Sequence, residues 1–145
     1  MRRVIKGVCL ALAPVLLLSF VHPPKKRKAD IAGHWVTGNP SDPKTSPHMK
    51  VFEENGSYYC VGFEQVGTVL THKGRYKVVD DGHFKEKVTN VRFNAQWDLR
   101  GKEFLNNYEL SKDGKSLVLS GVVYSRDGKD SLRWSHRYRK LEVPE

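Results

Sequence analysis

The sequence is short of several things, and each shortage closes off a class of protein. Only two cysteines occur among 145 residues, Cys9 and Cys60. Cys9 lies in an apolar leader, too early for a lipid-attachment cysteine, so the remainder holds one thiol and no internal disulfide. Whatever folds must be stabilised by its own core. Cys60, set among Tyr58, Tyr59 and Val61, reads as a buried, inert thiol. Helical signal is nearly absent: beyond the leader, no stretch carries apolar residues at i, i+3, i+4 and i+7 over three turns. The chain also lacks a Gly-x-Ser-x-Gly elbow, a phosphate-binding loop and a dinucleotide fingerprint. His34, His48, His72 and His83 show no metal-ligand spacing and read as exposed loop or strand-end residues. No metal, cofactor or enzymatic activity is expected.

Long apolar runs are missing too. The longest, Val8 to Val21, falls short of the ~20 residues that a membrane-spanning helix needs. It follows Arg2, Arg3 and Lys6, and a basic lead before a short apolar run is the pattern of a secretory signal. Residues 1–22 are thus expected to be a signal peptide or an anchor, 23–30 a basic linker and 31–141 one folded domain. The expected address is outside the cytosol: periplasmic, secreted, or anchored at the outer face of the inner membrane.

The formal charge of +9 does not signal nucleic acid. Three positive charges lie in the leader and four more in Lys25-Lys26-Arg27-Lys28; from Ala29 onward, 18 Lys and Arg face 16 Asp and Glu. A nucleic-acid binder carries its basic stripe on the folded domain itself. Lys25, Lys26, Arg27 and Lys28 fit a solvated linker that touches anionic lipid headgroups. The basic residues near the C-terminus, among them Arg126, Arg133 and Arg137, fit a solvated outer face, with contact to anionic lipid or polysaccharide as the alternative.

What the chain does have is a rhythm of short apolar runs and tight-turn signals. Asn55-Gly56, Asp81-Gly82, Asp113-Gly114 and Asp127-Gly128 each separate two β-rich segments. These dipeptides tolerate the positive φ that two-residue hairpin turns demand, so the chain reads as a meander of consecutive hairpins. Counting Gly33 to Thr37 as the first strand gives about eight. A meander of eight short strands has an edge problem that closure removes, so the expected fold is all-β, a single antiparallel up-and-down barrel. A β-sandwich is the alternative. Residues 92–102 read as a loop or a short strand around Phe93 to Trp97.

Both ends of this domain carry a familiar pattern. Gly33-His34-Trp35 resembles the Gly-x-Trp of the first strand in lipocalins and related calycins. Trp134-x-x-x-Tyr138-Arg139 resembles their last strand, whose arginine packs over that tryptophan at the closed end. Gly74-x-Tyr76-x-Val78, Phe84-x-Glu86 and Tyr108-x-Leu110 are similar to a bacterial lipocalin-like family of exported proteins without assigned function. The likeness covers roughly Ile31 to Leu141. It implies that Arg139, with Arg137 as its alternative, covers Trp35 by a cation–π contact worth ~0.5–2 kcal/mol.

Strand alternation suggests what faces inward. Glu86 shares a face with Phe84 and Val88, Asn106 with Phe104, Tyr108 and Leu110, and His136 with Leu132, Trp134 and Tyr138; Tyr76 points with Val78. Apolar walls with a few orienting polar groups make a ligand pocket. Tyr76, Glu86, Asn106, Tyr108, Trp134, His136 and Tyr138 are therefore the candidate binding residues, and Trp35 and Arg139 the structural ones. The expected function is binding or carriage of a small, partly apolar molecule. One alternative is a filled barrel that presents its outer surface to an envelope partner, with Glu86 paired to a tyrosine hydroxyl or a basic side chain. A third is a weak enzyme using Glu86 and His136, which would then lie together and perturb each other's titration.

Overall fold

A computed structural model describes residues 30–39, 46–65, 67–92 and 99–142. The leader, residues 23–29 of the linker and the segment 93–98 lie outside the described residues. Eight strands follow in order: β1 (Gly33–Thr37), β2 (His48–Phe52), β3 (Ser57–Glu64), β4 (Gly67–Asp80), β5 (His83–Val91), β6 (Glu103–Leu110), β7 (Ser116–Tyr124) and β8 (Ser131–Leu141). Each pairs antiparallel with the next, and β8 returns to β1, giving a closed up-and-down barrel. Closure rests on three pairs: His34 with Leu141, Trp35 with Lys140 and Val36 with Arg139. The expected turns form where Asn-Gly and Asp-Gly stand, with Gly56 and Gly114 at φ of +80° and +68°.

Up-and-down order gathers the turns after β2, β4 and β6 at one end, together with the approach to β1. Apolar residues flank all of them. Phe52 and Tyr58 bracket the first turn, Phe84 follows the second, and Tyr108 and Leu117 bracket the third. With Ile31, Trp35, Leu119 and Tyr138 they form a single buried cluster that plugs this end. Full burial of such side chains stabilises the fold by ~1.5–3 kcal/mol apiece. Trp35 is wholly buried, and its indole Nε1–H donates to the carbonyl of Ile31 at 2.9 Å.

The cation over the Trp35 ring is Lys140, with Nζ 5.6 Å from the centroid, and neither Arg139 nor Arg137 as the likeness implied. Alternation explains the exchange. Trp134, Tyr138 and Lys140 share one face of β8, while Arg137 and Arg139 point to the other. The register then sets Lys140 directly beside Trp35.

Irregularities of register shape the walls. The β3–β4 register slips between Cys60 and Val61, so that Thr71 is the extra residue between the His72 and Leu70 pairs. A second slip at Lys73/Gly74 brings β4 hard against β5. A Cβ at Gly74 would overlap the carbonyl oxygen of Lys87 and approach Tyr58 Cε1 to 2.9 Å, so only glycine fits. Across the barrel, the β6–β7 ladder spans only Asn107–Leu110 and Leu117–Ser120; towards the other end these strands run on without pairing to each other.

Candidate functional site

Above the aromatic plug the barrel is hollow. A cavity of about 280 Å³ opens at the end where β1, β3, β5 and β7 finish. Its floor is polar and buried. Lys50, Glu86 and Asn106 are 4%, 5% and 2% exposed, and such burial of charge requires pairing. Lys50 Nζ lies 2.5 Å from Glu86 Oε1, and Asn106 Nδ2 donates to Glu86 Oε2 at 2.9 Å. The ammonium also sits over the rings of Tyr58, Phe52 and Phe84, at 4.9, 5.3 and 5.9 Å from their centroids. The top of the plug thus doubles as an aromatic cradle for the cation. The buried Tyr58 hydroxyl interacts with Glu86 without the geometry of a full hydrogen bond. Burial, reinforced by the Glu86 charge, holds this phenol well above its ordinary range.

The walls carry three histidines. His48 begins β2, and its Nδ1 lies 3.1 Å from the Ser46 carbonyl. A carbonyl can only accept, so Nδ1 carries the proton and Nε2 accepts from the Tyr138 hydroxyl at 2.9 Å. The His48 ring also meets His136 edge-on at 4.9 Å, joining β2 to β8 just beyond the end of β1. His72 is fixed in a similar way. Thr71 Oγ1 donates its single proton to the Cys60 carbonyl at 3.0 Å, so His72 Nδ1, 3.1 Å away, donates to Thr71. Burial dominates all three titrations and Lys50 adds to it, lowering His48 and His136 and taking His72 down to about 4. The cavity wall is therefore neutral near pH 7. Burial also raises the Cys60 thiol, which leaves it protonated and unreactive.

Of the candidate residues, the structure brings Glu86, Asn106, Trp134, His136 and Tyr138 to this cavity. Tyr76 and Tyr108 do not line it. Their hydroxyls donate to the carbonyls of Glu53 (2.9 Å) and Asp80 (3.0 Å), next to the closed-end turns. Both precede the closed-end turns after β4 and β6, and these hydrogen bonds hold their side chains there. Glu86 and His136 line the same cavity but do not pair. The polar partners of Glu86 are Lys50 and Asn106, whereas His136 packs on Trp134, His48 and Tyr138, and Glu86 is not among the causes of its lowered pKa.

Among the cavity residues not expected there are Lys50, His48 and His72, the two histidines having read as exposed loop or strand-end residues. Alternation could have found them, since His48 and Lys50 share the face of Phe52, and stepping back from Tyr76 through Gly74 reaches His72. Among the described residues no group of three His, Cys, Asp or Glu side chains is arranged to hold a metal ion.

Fold and site together define an eight-stranded antiparallel barrel, plugged at one end by aromatic rings and hollow at the other. Residues 31–145 match the family described as a domain of unknown function, DUF4488, and the chain belongs to that family. A comparison with curated proteins gave no match.

Proposed function

We propose that this domain is a lipocalin-like binding or carrier module that holds one small, partly apolar molecule in its open half. The observation that carries the reading is the cavity of about 280 Å³, with apolar and neutral walls above a fixed Lys50–Glu86–Asn106 floor. Ligand sites are concave and mostly apolar with a few convergent polar groups, and this volume stands near the low end of their range. A filled structural barrel would be packed to native density throughout, which this space does not favour. Acid–base chemistry forms no part of the reading, since Glu86 and His136 are not in contact. An address outside the cytosol belongs to the same proposal and rests on the basic and apolar leader, with Lys25–Lys28 next to anionic headgroups.

Native mass spectrometry of the protein isolated from its own host tests this. The expected spectrum shows an added mass of a few hundred daltons or less that is released on unfolding. Protein that leaves its host unladen, and that binds neither aromatic nor aliphatic probes afterwards, would overturn the reading.

A further inference from the structure

The β7–β8 wall is built differently, and it narrows the class of ligand. Gly121 on β7 stands directly across from Trp134 on β8, just past the point where the β6–β7 ladder stops. A Cβ there would lie 3.0 and 3.1 Å from Trp134 Cζ2 and Cε2, and would overlap Asn106 Oδ1. The missing side chain makes room for the indole against β7, and Trp134 lines the cavity. His136, which also lines the cavity, stacks on it with ring centroids 5.8 Å apart and planes 28° from parallel. The result is an aromatic shelf of stacked rings that ends at Asn106 and, through it, at Glu86.

We infer that the cavity takes a planar, uncharged, two-ring aromatic molecule, stacked on Trp134 with a hydrogen-bonding edge turned to Asn106 and Glu86. This inference rests on the ligand-binding reading above. Shape supplies the first argument: aromatic faces prefer offset stacking on other rings, and Trp134 and His136 already stack so at the cavity wall. Size supplies the second. An apolar cavity of about 150 Å³ accommodates benzene, and this one is roughly twice as large. Depth supplies the third, because the Trp35–Phe52–Phe84 plug beneath Lys50 leaves no channel for a long flexible chain.

Charge supplies the fourth. Lys50 and Glu86 already neutralise each other, so a carboxylate or ammonium on the ligand would be buried without a counter-charge. The three wall histidines, held neutral by burial, offer no compensation. A neutral edge with one donor and one acceptor instead meets a carboxylate that accepts and an amide that does both.

Isothermal titration of the purified protein with four probes tests the inference. They are quinolin-2(1H)-one (two fused rings, an N–H beside a C=O), quinoline-2-carboxylate (similar rings, anionic), dodecan-1-ol and dodecanoate. Quinolin-2(1H)-one is expected to bind at least tenfold more tightly than each of the others and to quench tryptophan fluorescence. Gly121→Val should weaken it at least tenfold with the far-UV spectrum unchanged. Should that variant fail to fold, Trp134→Leu, which keeps the cavity and removes the shelf, should show the same loss. Equal binding of the anionic quinoline, or an unaffected Trp134→Leu variant, would overturn the inference. Binding of the aliphatic probes alone would overturn it while leaving the carrier reading intact. Binding of none, with unladen host protein, would remove both.

Discussion

Replacing Lys50 by methionine should be the most damaging single change at the floor of the cavity. The side chains are close in length, so packing against Phe52, Tyr58 and Phe84 is largely kept while the charge is lost. What remains is Glu86, 5% exposed, with Asn106 as its one neutral hydrogen-bond donor. Removing one partner of a buried ion pair costs about 3–5 kcal/mol, because the other charge stays uncompensated. A domain of this size has ~5–15 kcal/mol in total, and urea slopes are ~1–3 kcal/mol per molar. The Lys50→Met midpoint in urea should therefore fall by roughly 2 M at pH 7, read by tryptophan fluorescence.

A companion variant makes this prediction refutable. Lys50→Met combined with Glu86→Leu should recover most of the loss, since no charge remains buried. A Lys50→Met protein within about 1 kcal/mol of wild type at pH 7, or a double variant no more stable than the single one, would refute a buried, mutually dependent pair.

Acid should weaken the fold. His48, His72 and His136 are held below 6.5, so their contribution is complete above pH 6.5 and is lost as the pH falls towards about 4, the value for His72. The thermal midpoint should drop across that window and His72→Gln should flatten the drop; a midpoint indifferent to acid would contradict this. At the closed end, Lys140→Met should lose ~0.5–1 kcal/mol of cation–π stabilisation over Trp35, whereas Arg139→Met should stay within ~0.5 kcal/mol; the reverse order in urea melts would show that Arg139 covers the indole. Gly74→Ala should cost more than about 2 kcal/mol or prevent folding, because its Cβ would collide with backbone at Lys87, and a melting curve like that of wild type would rule the close approach out.

The barrel was legible because its signals are local. Asn-Gly and Asp-Gly turns sit between runs whose period is two, and consecutive hairpins leave few topologies other than closure. The short β3–β4 turn at Gln65 carries no such dipeptide, which left the first half of the 14-residue β4 unread, and His72 with it. Inward-facing Glu86, Asn106, Trp134 and His136 followed from alternation. What alternation cannot supply is height along the barrel axis. Tyr108 and Asn106 share a face, yet two residues separate a plug position from a floor position. Nor could pairing be read. Lys50 and Glu86 are far apart in sequence, and only the register from β2 round to β5 brings their charges together. The Arg139 expectation failed for the related reason that a motif names residue types, while parity along β8 decides which side chain points in.

A high-resolution crystal structure of the protein purified from its own host would test the central claim most directly. Density is expected for a molecule other than water above Asn106, lying against Trp134, in a barrel closed between β1 and β8. A space filled by Trp134 and His136 turned inward, or occupied by water alone, would contradict it.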